Sequence, residues 1–239
     1  MKTIFHPAHE RGHANHGWLN TYHSFSFANW YHPEKIHFGA LRVLNDDIVE
    51  IGEGFGTHPH DNMEIISIPL QGSLAHKDSM GSEEFTHTGY VQVMSAGTGL
   101  THSEYNGSPT EDVNFLQIWI FPKEKDIKPR YDQMKFDEAD RKDKWQLLVS
   151  PRKEDNVLWI NQDAFLSRID MKAGTSTNYN NHLSGNGVYI FVLGGKIEIN
   201  RQALNKRDAI GVSETDSFEI KATSDAEILA IEIPMYVSK

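Results

Sequence analysis

A chain of 239 residues, 38% of them hydrophobic, is long enough for one large all-β domain or two of about 120 residues each, and it can bury a core without covalent staples. It has no cysteine, which excludes disulfides, iron–sulfur clusters, thiolate zinc sites and cysteine nucleophiles and mildly favours a reducing compartment. With 33 acidic against 23 basic residues, a formal charge of −10 and no basic stripe, the surface repels phosphate backbones, so no nucleic-acid partner is expected.

Residues 1–9 lack the continuous apolar stretch of a secretory signal, and no run approaches the roughly 18 apolar residues of a membrane span. The expectation is a cytoplasmic protein with no membrane partner. His6, His9, His13 and His16, spaced three, four and three apart, read as a polar loop. The aromatic segment 22–31 (with His23, Phe25, Phe27, Trp30 and Tyr31) reads as core or cavity wall. Short apolar or alternating runs then follow at 39–44, 64–70, 73–78, 90–94 and 113–121, punctuated by Gly, Pro, Asn and Asp. His76 and His87 fall within this series as solvent-facing or hydrogen-bonded strand positions. Residues 123–145 break the pattern: charged, with Pro129 inside and room for one helical turn near 136–142. Strand character resumes at 146–150 and continues at 164–171, 188–193, 196–200 and 227–233. Many short strands with regular turn signals predict sandwiches or barrels. The predicted organisation is a first domain over 1–130, a linker over 131–146 and a second β domain over 147–239.

The halves differ in chemistry. Twelve of the 13 histidines precede residue 103, and only His182 lies beyond. Two pairs matter most: His58-Pro59-His60 and His102-Ser103-Glu104. Residues at i and i+2 of a strand share a face, so two adjacent strands can aim three imidazoles and one carboxylate at one point. Such a set suits a divalent transition metal and leaves positions open for catalysis. Glycines 52, 54, 56, 97 and 99 before these pairs permit close backbone approach. Two glutamates compete for the fourth position. Glu64 is four residues beyond His60, on the face predicted to carry His58, His60, Asn62, Ile66 and Ile68; Glu104 is two beyond His102. Geometry alone does not choose between them. No P-loop, dinucleotide-binding glycine motif or Gly-x-Ser-x-Gly elbow occurs.

The layout Gly52-x5-His58-x-His60-x3-Glu64-x7-Gly72, followed by Gly89 running to His102-x3-Asn106, resembles the two cupin motifs. The segments His23-Ser-Phe-Ser-Phe-Ala-Asn-Trp30, Phe38-Gly-Ala-Leu-Arg-Val-Leu44, Phe55-Gly-Thr-His-Pro-His60, Met94 to Asn106, Phe115-Leu-Gln-Ile-Trp-Ile120 and Ile160-Asn-Gln-Asp-Ala164 resemble the pirin family over nearly the whole chain. The resemblance implies an all-β fold of two cupin (jelly-roll) barrels packed in one chain, with metal only in the N-terminal barrel. It implies His58, His60, His102 and Glu104 as metal ligands, which favours Glu104 over Glu64, and leaves Glu64 behind the ligands to orient one of them or a water. The ion implied is Fe2+ first, with Mn2+, Ni2+, Cu2+, Co2+ or Zn2+ as alternatives.

Bacterial members of this type are similar to quercetin 2,3-dioxygenases, so the resemblance implies an enzyme that opens a flavonol-like aromatic substrate with O2 and releases carbon monoxide. Glu104 is then the catalytic base, with Glu64 the less favoured candidate. A rival from another class is an iron-dependent, redox-sensing regulator that binds a protein partner without turnover. A different cupin reaction, such as isomerisation of a small oxygenated metabolite, is a third. A chain that already packs two barrels together is expected to be a monomer.

Overall fold

The computed structural model describes residues 1–154 and 156–236. Among them are 22 β-strands, two short 3-10 helices and no α-helix. Four antiparallel sheets pair into two barrels, apart from one parallel contact between Gln146–Ser150 and Leu158–Trp159.

In the N-terminal barrel a seven-stranded sheet runs in the order Arg130–Lys135, Tyr90–Ser95, Glu64–Gln71, Val113–Ile120, Leu41–Val49, Leu19–His23, Gly12–Asn15. It faces a four-stranded sheet ordered Gly54–His60, Leu100–Asn106, Ser73–Asp78, Glu83–His87. The C-terminal barrel repeats this seven-plus-four plan.

The two large sheets pack back to back. Ile66, Ile68, Leu116 and Ile118 of one meet Leu166, Tyr189, Phe191, Leu229 and Ile231 of the other in one buried cluster. Strand Asn186–Gly194 shows why its sequence is continuously apolar rather than alternating. Val188, Ile190 and Val192 point into their own barrel, while Tyr189, Phe191 and Leu193 face the neighbour, so both faces are dry.

The barrel interiors are filled differently. The second is packed with hydrocarbon, including Ile169, Val188, Ile190, Ile197, Ile220 and Ile228. The first has two small apolar clusters, around Phe115 and around Ile65. Its interior also carries buried Ser67, His76, Gln92, His102 and Glu104. Burying such groups is costly unless they are partnered, so this interior is built for polar chemistry.

Two boundaries differ from the sequence expectation. Strand Lys2–His6 does not join the first barrel; it pairs with Ala209–Ser213 of the second, from Lys2 opposite Ser213 to His6 opposite Ala209. The predicted linker over 131–146 begins with an edge strand, Arg130–Lys135, paired with Tyr90–Ser95. Its charge disguised it, because edge strands carry polar residues that discourage further pairing. A 3-10 turn, Glu138–Arg141, follows where a helical turn was expected, and Asp137 caps it by accepting from the Ala139 N–H at 2.9 Å.

Candidate metal centre

Strand Gly54–His60 is the edge of the four-stranded sheet, which is where Pro59, lacking an N–H, is tolerated between two inward-facing histidines. It pairs with Leu100–Asn106 so that His58 lies opposite His102 and His60 opposite Leu100. A register shift between His102 and Glu104 follows, and Glu104 then lies opposite Phe55 on one side and His76 on the other. Two glycines permit the approach: a Cβ on Gly54 would lie 2.4 Å from the Glu104 carbonyl oxygen, and Gly97, at φ 49°, would put one 2.0 Å from the Ile127 carbonyl oxygen.

The three imidazoles converge. Ring centres are 4.5 Å apart for His58 and His102, 4.9 Å for His58 and His60, and 4.9 Å for His60 and His102. Imidazoles on adjacent corners of an octahedron, each with a nitrogen about 2.1 Å from the ion, have centres about 4.5 Å apart. One nitrogen of each of the three lies within 4.8 Å of the others. His58 Nδ1 is 2.8 Å from the Gly56 carbonyl oxygen and donates to it, which leaves Nε2 with its lone pair free. Burial first, then the neighbouring histidines, pushes His60 down to about 4 and His102 down to about 3, so both are neutral and able to ligate at pH 7. Both nitrogens of His102 are buried without a partner among the described residues. Each such group costs about 1–3 kcal/mol, and coordination through one nitrogen would remove that cost at that nitrogen.

Glu104 is buried on the same strand. Its Oε1 accepts from Ser67 Oγ at 3.1 Å and Gln92 Nε2 at 3.5 Å, and its Oε2 from Gln117 Nε2 at 2.7 Å. All three donors are neutral, and no cationic side chain pairs with it among the described residues. A buried carboxylate without a countercharge beside neutral imidazoles fits a divalent cation.

The grouping also includes a residue that the sequence reading undervalued. Ligand atoms of His76, His102 and Glu104 form a second set within 4.8 Å, overlapping the first at His102. Of its two expected settings His76 takes the hydrogen-bonded one: it is 2% exposed, its Nε2 is 3.1 Å from Asp78 Oδ2, and its ring stacks on Tyr131 at 4.5 Å. The available signal was His76-Lys77-Asp78, a third i,i+2 polar pair on a predicted strand.

Glu64 departs from its expected place behind the ligands. Asn62 adopts φ 42°, a turn that breaks the alternation, so the even positions beyond it face the second barrel. Glu64 Oε2 accepts from Ser95 Oγ at 2.8 Å and from the Asn161 N–H at 3.1 Å, and it hydrogen-bonds none of the three clustered histidines. Burial pushes its carboxyl up to about 7. Its bond from Asn161 links the first half to the second.

A cavity of about 430 Å³ opens on His58, His60 and Glu104. Its walls are Trp18, Phe27, Phe55 and Trp119, with Asn45, Asp47 and Gln117 among the polar lining. A neighbouring cavity of about 390 Å³ shares Phe27, Asn45, Asp47 and Phe55 and adds His13, His16 and His23. Sequence reasoning missed Asp47, which is fully buried, takes a hydrogen bond from the Thr21 hydroxyl and is pushed up by burial to about 7. Of the aromatic segment, Phe25, Phe27 and Trp30 line core or cavity, whereas Tyr31 is 72% exposed. His6, expected in a loop, lies on the first strand and is 2.8 Å from the Tyr189 hydroxyl through Nδ1.

Comparison with known proteins agrees with this geometry. The family model described as Pirin matches residues 4–120, and one described as the quercetinase C-terminal cupin domain matches 147–233. The chain is 44% identical over 227 residues to quercetin 2,3-dioxygenase of Escherichia coli strain K12, covering 95% of this chain and 96% of that one. It is 39% identical to a pirin-like protein of Caulobacter vibrioides, covering 95% and 97%. The crystal structure of the bacterial pirin YhhW from Escherichia coli in complex with nickel(II) superposes with a TM-score of 0.92 at 42% identity, over 99% of this chain and all of that one.

Proposed function

The chain belongs to the pirin family, and from that premise we propose that it is a metal-dependent dioxygenase that opens a flavonol-like substrate with O2 and releases carbon monoxide. The observation that carries the proposal is the opening of a three-imidazole cluster, with an uncompensated buried carboxylate beside it, onto an aromatic-walled cavity. His58, His60, His102 and Glu104 would hold one divalent ion, Fe2+ by preference. That ion would supply Lewis acidity, which acidifies a bound enol-type hydroxyl.

The protein residues do the rest. Trp18, Phe27, Phe55 and Trp119 give a flat, electron-rich ring system a slot of about 430 Å³, within the size range of small-molecule sites. They also exclude water from the reacting carbons. Glu104 takes the hydroxyl proton at a carboxylate oxygen; Ser67 and Gln117 hold that carboxylate in one orientation. Asn45 and Asp47 offer hydrogen bonds to the polar edge of the substrate from the cavity wall. The test is to load the protein anaerobically with Fe(II), Mn(II), Ni(II) or Cu(II), then add quercetin and O2. Carbon monoxide and loss of substrate are expected with at least one metal; neither product nor loss with any of them refutes the assignment.

A further inference from the structure

A third cavity, of about 270 Å³, lies between the barrels and has no aromatic wall: Pro69, Gln71 and Asn114 of the first half meet Arg168, Lys206 and Arg207 of the second. Four cationic side chains line it, Arg141, Arg168, Lys206 and Arg207, against two acidic ones, Glu138 and Glu227. That excess of positive charge stands on a chain whose formal charge is −10.

The four cations differ in how far they are already engaged. Arg141 is held by Asp170 and Glu138, both at 2.9 Å. Arg207 is held by Asp46 at 2.8 Å, the Leu193 carbonyl at 2.7 Å and Asn114 at 3.2 Å. Arg168 is the anomaly. It lies on strand Phe165–Met171, on the same face as Leu166, which packs against the other barrel. Its side chain is 9% exposed, yet its one hydrogen bond among the described residues is Nη2 to Glu227 at 3.4 Å, and Glu227 is itself 55% exposed. The buried Nε has no partner among the described residues. Gln146, opposite it in the strand pairing, has a matching unpartnered Oε1 and can meet Nε locally. That still leaves the Nη1 amine, which has no hydrogen-bond acceptor among the described residues. Burial, then the charge of Arg141, pushes Arg168 down to about 10. Lys206 is exposed and has no ion-pair partner among the described residues.

We propose that this cleft binds a small dianionic oxyanion, a phosphate group or a short dicarboxylate, held by Arg168 and Lys206 with Arg141 and Arg207 as fixed positive flanks. A guanidinium fork and an ammonium together match two or more oxygens of such an ion. The ion displaces Glu227 from Arg168 and touches both barrels, so its binding stiffens their junction.

The test is calorimetric titration of the full, metal-loaded chain with inorganic phosphate and, separately, with succinate, at constant ionic strength set with chloride. One ion per chain is expected for at least one of the two, and which one binds identifies the ligand class. Lys206→Ala should weaken binding about tenfold, and Arg168→Lys at least as much. Glu227→Gln, by removing the competing carboxylate, should tighten it. Because Lys206 is exposed, its variant folds normally, and because neither residue adjoins the histidine cluster, their effect separates the cleft from any binding at the metal. No saturable binding of either ion, or binding that Lys206→Ala and Arg168→Lys leave unchanged, overturns the proposal.

Discussion

Glu104→Gln separates the cost of burying a charge from its use. Glutamine keeps the volume and two of the three contacts: its oxygen accepts from Gln117, while its amide donates to the Ser67 hydroxyl, which turns to accept, and only the long contact from Gln92 is lost. Without metal, the variant gives up hydrogen bonds to an anion, worth about 1.5–3 kcal/mol each, for neutral ones of about 0.5–1.5. It also no longer buries an unpaired charge, a penalty of several kcal/mol. The metal-free variant should therefore be as stable as the parent or more stable, by about 1–2 kcal/mol. With metal the sign reverses. Exchanging an anionic ligand for a neutral one should weaken affinity about 100-fold, or about 2.7 kcal/mol. At saturating metal the parent's advantage then falls by about the same amount. For a chain of this size that is about 5–11 °C of the metal-induced rise in Tm. Thermal unfolding with and without Ni(II), beside metal content after dialysis, measures both halves. The reasoning fails if the metal-free variant loses more than about 2 kcal/mol, or if the metal-induced rise is unchanged.

Three further outcomes follow from other positions. Glu64 is raised to about 7 when folded against an ordinary 4.5, so folding favours its neutral form; its contribution is full below 4.5 and is lost as pH rises through 7. Glu64→Gln should match the parent near pH 5 and exceed it in stability at pH 8, read from denaturant midpoints; equal pH dependence in the two refutes the assignment. Trp119→Ala should raise KM about tenfold while leaving metal content intact, because Trp119 lines the slot at 4.9 Å from the His60 ring without ligating; a loss of metal instead would make Trp119 a support of the cluster. Glu232 is fully buried in the second barrel and accepts from Tyr179 Oη, the His182 and Leu183 N–H groups and Asn186 Nδ2. Glu232→Ala orphans four donors and should cost about 3 kcal/mol or more in urea unfolding; a loss under about 1 kcal/mol would mean that water replaces the carboxylate there.

The histidine pairs were legible because strand alternation is local: two residues apart on one strand means one face, wherever the strand goes. The same rule misled at Glu64, because it was carried across Asn62, where a single positive φ reverses which side is inside. His76 was undervalued for a different reason. Its neighbours His102 and Glu104 are 26 and 28 residues away, and only strand order makes them adjacent. Two β-rich halves followed from turn spacing and composition, and the two-barrel architecture from the pirin resemblance. The exchange of the first strand did not, because nothing in Lys2–His6 distinguishes one sheet edge from another; its partner lies some two hundred residues on.

That exchanged strand means the halves are not interchangeable parts. The sheet of the second barrel is finished by a strand that precedes the first barrel in the chain and must wait unpaired until Ala209–Ser213 has been synthesised. A fragment starting after residue 7 would leave that strand's hydrogen-bonding edge bare, inviting a neighbouring chain to fill it. A protein fused ahead of Lys2, by contrast, would ride on the second barrel although it is encoded beside the half that carries the histidine cluster.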